Sequence, residues 1–152
     1  KVNVLFIDEG EARDLGSEVN LVKCAQTIAS LGPKTIVIKR GEHGVIMFHG
    51  DSMFALPAFP VKDVIDPTGA GDAFAGGFVG HLAATGNLGY QNIKRAAVLG
   101  SVMGSFAVEQ FSLDGICSLG AKEIENRFIA LKDLTEFAPL GTRESLPLRN
   151  GF

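Results

Sequence analysis

The stretch Asp66-Pro67-Thr68-Gly69-Ala70-Gly71-Asp72 is where the chain concentrates groups able to handle an anion. It lies between a short apolar run, Val61 to Ile65, and a segment of helical periodicity that begins at Gly69. Consecutive small residues at a strand-to-helix junction let backbone N–H groups converge at a helix N-terminus. Unpaired donors and the positive end of the helix dipole attract negative charge there. Asp72 falls in the first turn of that helix. A carboxylate at this place, beside a bound phosphoryl group, is positioned to take a proton from an attacking hydroxyl. The same pattern also fits a plainer reading, in which Asp72 complements the helix dipole and Gly69 and Gly71 make a tight turn. Two other phosphate loops are excluded. A G-x-x-x-x-G-K-[ST] loop needs a Gly-Lys pair, which the chain lacks, and a G-x-G-x-x-G fingerprint needs a third glycine where Phe74 stands.

The elements that must hold this stretch can be read from periodicity. Val2 to Ile7 is apolar and rich in β-branched residues, which predicts a buried strand. Leu21, Cys24, Ala25 and Ile28 follow helical spacing and predict a helix over Leu21 to Leu31, stopped by Gly32-Pro33. Thr35 to Lys39 reads as a second buried strand. Gly44 to Phe48 and Met53 to Leu56 read as a hairpin around His49-Gly50-Asp51-Ser52. Val61 to Ile65 reads as a further short strand. Helices are then predicted from Gly69 to about Ala84, from Gln91 to about Gln110 and from Ala121 to Leu131. The first keeps Gly76, Gly77 and Gly80 and the second Gly100 and Gly104, which costs helix stability unless another backbone packs closely there. The tail from Pro139 to Phe152 has no periodicity. Strands alternating with helices early, and helices dominating later, point to an α/β fold with a largely parallel sheet flanked by helices.

Composition narrows the classes of function. The chain has 152 residues and is 46% hydrophobic and 20% charged, which suits a folded domain with its own core. A formal net charge of -3 and scattered basic residues argue against a nucleic-acid partner. No apolar run approaches the roughly 20 residues of a membrane span, and no stretch reads as a signal peptide, so a cytoplasmic location is expected. Cys24 and Cys117 stand alone and are expected to be buried thiols rather than a disulfide or zinc ligands. His43, His49 and His81 lack metal-ligand spacing and are expected at the surface or in turns. The chain opens on Lys1 and runs at once into an apolar stretch, which leads us to expect a longer protein of which this is the C-terminal part.

Asp66 to Asp72 closely resembles the D-T-x-G-A-G-D signature of the PfkB (ribokinase) family of carbohydrate kinases, and Ala73-Phe74-Ala75-Gly76-Gly77-Phe78 resembles the continuation usual in that family. Pro67 departs from the common Thr. The resemblance runs from about Val2 to Leu131 and implies a ribokinase-like fold, with 1–138 as its C-terminal nucleotide-binding portion and 139–152 as a tail. It implies that Asp72 is the base that deprotonates the acceptor hydroxyl. The amides of Gly69, Ala70 and Gly71 would form the anion hole, and Asp66 and Thr68 would lie near the nucleotide phosphates. In many members of the family a monovalent cation such as K+ sits close to the Asp66 position. Asp8-Glu9-Gly10-Glu11 resembles the family's N-x-x-E, with Asp8 replacing Asn, and implies Mg2+ near Asp8 and Glu11. Asp8 also fits simple capping at a strand end. Lys39-Arg40-Gly41-Glu42-His43-Gly44 resembles the family's K-x-G-x-x-G segment along the nucleotide, giving Lys39, Gly41 and Gly44 a nucleotide-binding role. Ser101 falls where some relatives place an Asn near adenine, and it equally fits a small helix-packing residue.

The implied activity is ATP-dependent phosphoryl transfer to a hydroxyl of a sugar, nucleoside or related small molecule, in an assembly compatible with a homodimer. Two rivals remain open. One is a non-catalytic nucleotide-binding or regulatory fragment. The other is a vitamin-precursor kinase of the same superfamily.

Overall fold

The computed structural model describes residues 2–112 and 114–141. In chain order the elements are β1 (Val4–Asp8), α1 (Glu9–Gly16), α2 (Leu21–Ser30), β2 (Thr35–Lys39), a 3-10 turn (Gly41–His43), β3 (Val45–His49), β4 (Ser52–Leu56), α3 (Ala70–Thr85), α4 (Tyr90–Ala107), α5 (Asp114–Cys117) and α6 (Ala121–Thr135). The strands form one sheet in the order β1-β2-β3-β4. β1 and β2 are parallel, with Asp8 opposite Lys39, and the ladders β2–β3 and β3–β4 are antiparallel. The α/β architecture is as expected, and the parallel pairing is confined to β1 and β2.

Side chains alternate across β2 and divide the core in two. Ile36 and Ile38 face α1 and α2 and pack with Ile7, Ala12, Ala25 and Ile28. Val37 faces the other way, into a larger cluster with Met47, Phe74, Phe78, Ala97, Val102 and Leu131. Phe6 meets Phe78 edge-on, with ring centroids 5.1 Å apart. Phe78 is fully buried, so Phe78→Ala would cost about 3–5 kcal/mol.

Helices α3 and α4 lie backbone to backbone. A Cβ on Gly100 would fall 2.8 Å from the Phe74 carbonyl oxygen, one on Gly104 3.2 Å from that of Ala70, and one on Gly77 3.2 Å from that of Leu99. The expected close packing is therefore present at Gly77, Gly100 and Gly104, whereas Gly76 and Gly80 face open space.

Four expectations need correction. Val61 to Ile65 is not a strand: Val64 and Ile65 are exposed, and the N–H of Ile65 donates to the carbonyl of Val108 rather than to a neighbouring strand. Pro57, Pro60 and Pro67 remove donors and resist ladder geometry across 57–69. An unforeseen helix, α1, follows β1 directly. Cys24 is buried as expected, but Cys117 is exposed at the end of α5. His49 and His81 are half-buried: His49 Nδ1 is 2.8 Å from Thr35 Oγ1, and His81 Nε2 is 2.9 Å from Asn92 Oδ1. Residues 136–141, around the expected tail boundary, carry no regular element, and 142–152 lie outside the described residues.

Candidate active site

The site forms where β1 and β2 end. Two parallel strands deliver Asp8 and Lys39 side by side to one edge of the sheet, the edge at which parallel α/β sheets hold their ligands. Beyond it, residues 57–69 cross to α3. The N–H groups of Ile65 and Asp66 both donate to the Val108 carbonyl, at 2.8 and 3.3 Å, which hangs the start of the loop on the end of α4.

The loop turns at Gly69, whose φ of 81° and ψ of -5° suit the third position of a type II turn. The Ala70 N–H closes that turn on the Pro67 carbonyl at 3.3 Å. Gly69 is the N-cap of α3 and offers no side-chain cap. The Ala73 N–H bonds the Gly69 carbonyl at 2.9 Å, and among the described residues no acceptor faces the N–H of Gly71 or Asp72. Of the three amides expected in an anion hole, Ala70 is thus engaged in the turn and Gly71 is open. Asp72, in the first turn, is exposed.

Lys39 adds a feature that sequence alone did not give. A Cβ on Gly71 would fall 2.7 Å from the Lys39 ammonium nitrogen. The ammonium therefore lies directly against the open N-terminus of α3, and no carboxylate pairs with it among the described residues. Helix dipole, unpaired amides and lysine all present positive potential to one spot. The neighbouring Arg40 points to the other face of the sheet. There Glu9 accepts from both Arg40 Nε and an Arg13 guanidinium nitrogen, each at 2.6 Å. Those two guanidinium hydrogen bonds, Arg40 first, hold the Glu9 carboxyl below its ordinary pKa.

Asp66 is half-buried and accepts the Thr68 N–H at 2.9 Å. That backbone hydrogen bond, with a second from the Thr68 side chain, lowers its pKa and keeps it ionised. Beside Asp66, Thr68 and Gly69 opens a cavity of about 290 Å³ whose far wall is Ala107, Phe111 and Ile116. Among the described residues Asp66 is the one charged member of that lining, which is otherwise largely apolar.

Asp8 and Glu11 form a reciprocal capping box: Asp8 Oδ1 accepts the Glu11 N–H at 2.8 Å, and Glu11 Oε2 accepts the Asp8 N–H at 3.0 Å. Each carboxylate keeps one oxygen outside the box at an exposed corner, which fits a magnesium held partly through water. No group of three or more metal-ligating side chains occurs among the described residues.

The glycines of the Lys39 to Gly44 segment divide. Gly41, φ 55°, faces open space. Gly44 is required by packing, because its Cβ would fall 2.1 Å from the Leu56 carbonyl oxygen. Ser101 lies half-buried in α4, and no hydrogen bond among the described residues joins it to the loop.

Residues 1–117 match the pfkB family of carbohydrate kinases. A cytidine kinase of Thermococcus kodakarensis is 41% identical over 81 residues, which is 52% of this chain and 29% of that protein. A fructokinase of Vibrio cholerae, solved with fructose, ADP and calcium ion bound, superposes with a TM-score of 0.74 at 24% identity, covering 83% of this chain and 41% of the other. The ribokinase of Thermotoga maritima gives a TM-score of 0.69 at 26% identity, covering 84% and 42%. The chain therefore spans less than half the length of each of these relatives. Among the described residues no helix is long and apolar enough to cross a membrane. By a family match that covers most of its length, and by a ribokinase-like fold shared with those structures, the chain belongs to the pfkB family of carbohydrate kinases.

Proposed function

We propose that residues 1–138 are the nucleotide-binding portion of a longer kinase that transfers the terminal phosphoryl of ATP to a hydroxyl of a sugar or nucleoside. The observation that carries this reading is the uncapped start of α3, with the Lys39 ammonium against Gly71 and Asp72 one residue further on. Phosphoryl transfer asks a protein chiefly to position two oxygens in line and to offset negative charge. Here the Gly71 amide and Lys39 stabilise charge on the transferred group. Asp72 accepts the proton of the attacking hydroxyl, with the Gly69 and Ala70 backbone setting its direction.

Asp66 and Thr68 hold the loop beside the nucleotide phosphates, and the Asp66 carboxylate would be the charged ligand of a K+ bound there. Asp8 and Glu11 would hold Mg2+, which would offset phosphate charge there. Gly41 leaves room for the nucleotide, and Gly44 keeps that turn in place. Ser101 is given an adenine-side position. The relatives are named for a nucleoside and for sugars, so the acceptor class stays that broad. Location in the cytoplasm and assembly as a homodimer complete the proposal.

The test is a panel of sugars, sugar acids and nucleosides with the full-length protein, ATP and Mg2+, read as ADP release. Acceptor-dependent turnover that Asp72→Asn abolishes is expected. Nucleotide binding without turnover on any acceptor would instead identify a non-catalytic module.

A further inference from the structure

Arg127 lies on α6, beyond the residues matched to the family, yet its guanidinium sits at the support of the anion loop. Its carbon is 3.5 Å from the ring centroid of Phe106 in α4 and 5.0 Å from that of Phe59 in the 57–69 crossing. One terminal nitrogen donates to Glu109 at 2.5 Å and to Ser105 at 3.1 Å. The side chain is only 17% exposed. A guanidinium between two aromatic faces, with a carboxylate at its edge, is a directional contact. Arginine's planar fork fits it better than an ammonium, which can sit over a ring but cannot also reach the carboxylate with a rigid fork.

The place of these contacts matters more than their strength. Phe106 and Glu109 flank Val108, and the Val108 carbonyl accepts the N–H groups of Ile65 and Asp66. Phe59 belongs to the same crossing that leads to Asp66. Arg127 thus grips the 57–69 crossing twice: directly at Phe59, and through the end of α4 at Ile65 and Asp66.

We propose that Arg127 is a positioning residue for phosphoryl transfer, a latch from α6 that fixes the Val108 carbonyl and so the start of the Asp66 to Asp72 loop. This rests on the kinase reading for its effect on rate, but its effect on the loop does not.

The experiment compares full-length wild type with Arg127→Met, Arg127→Lys and Glu109→Gln. The control is Leu131→Ala, which takes a fully buried leucine of the same helix out of the core cluster and leaves every polar contact of Arg127 in place. Amide exchange over 64–73 is measured beside kcat and the KM for ATP. Arg127→Met is expected to expose the Ile65 and Asp66 amides to exchange and to lower kcat by roughly 10²-fold, the scale of a small misplacement of reacting groups. Arg127→Lys should recover part of both, and Glu109→Gln should show the milder form of the same defect should Arg127→Met fold poorly. Leu131→Ala should lower Tm while leaving exchange over 64–73 and kcat near wild type. Exchange over 64–73 that is equal in the Arg127 and Glu109 variants and the Leu131 control would overturn the latch. Wild-type protein inactive on every acceptor would sink the kinase reading, while the exchange measurement would still decide the latch.

Discussion

Helices α1 and α3 begin at the same edge of the sheet and begin in opposite ways. The start of α1 is satisfied from within: Asp8 and Glu11 cap each other's amides, and Glu9 is held by Arg13 and Arg40. The start of α3 has a glycine cap, no side-chain acceptor and a lysine ammonium alongside. An uncapped start alone decides little, because α4 also begins at a glycine, Gly89, without a side-chain cap. What sets α3 apart is the added cation. Where the chain supplies its own carboxylates the helix end is closed, and where it supplies positive charge the end waits for an anion.

The sharpest way to break this contrast is Asp72→Asn in the full-length protein. If the open end is catalytic, kcat falls by about 10²–10⁴-fold, while the affinity for ADP changes little. Steady-state kinetics beside nucleotide titration gives both numbers, and a near wild-type kcat would reduce Asp72 to a partner of the helix dipole.

Lys39→Met removes the cation and keeps the stem. We expect a loss of about 10²-fold in kcat/KM for ATP, the scale of losing one preorganised donor to developing charge. A loss confined to folding stability would mean the ammonium only fills space.

Glu11→Ala tests the closed end. It takes away half of the capping box, costing about 1 kcal/mol of stability, and should raise the Mg2+ concentration needed for half-maximal rate several-fold. Overlaying magnesium curves for mutant and wild type would leave Glu11 with capping alone.

The smallest effect concerns acid. Glu9 and Asp66 have depressed pKa values in the folded state, Glu9 through Arg40 and Arg13 and Asp66 through Thr68. Their contribution to stability is therefore complete above the unfolded carboxylate range. It fades as pH falls through their lower folded values. Glu9→Gln should lower the neutral plateau of a Tm-against-pH curve towards its acid value, and so flatten the acid limb. An unchanged limb would show that the Glu9 pairs contribute nothing measurable.

The contrast also explains what sequence could and could not reveal. Asp66 to Asp72 was legible as the start of a helix because small residues there run directly into a helical period, and the family resemblance it carries is matched over residues 1–117. β2 was legible because it is buried on both faces and so reads as one apolar run. Helix α1 was missed although its signal was present. Asp8-x-x-Glu11 is a capping pattern, but the same two acids also match a metal motif, and the segment behind them is short and polar. Val61 to Ile65 looked like a strand because apolar composition does not report whether a pairing partner exists. The Lys39–Gly71 contact and the Arg127 latch join residues far apart in the chain, and no local pattern announces such a meeting.

The glycine seam between α3 and α4 has a consequence for how sequences of this kind can drift. The atoms nearest a Cβ on Gly104 and Gly100 are the carbonyls of Ala70 and Phe74, which bracket Asp72 in α3. A single enlargement at either glycine cannot be absorbed by a rotating side chain. It must push the first turns of α3 along or away, carrying the Gly71 amide and Asp72 with them. Such a variant would present as an enzyme with a damaged active site although every active-site residue is intact. Its reversion would have to come from the facing helix rather than from the site.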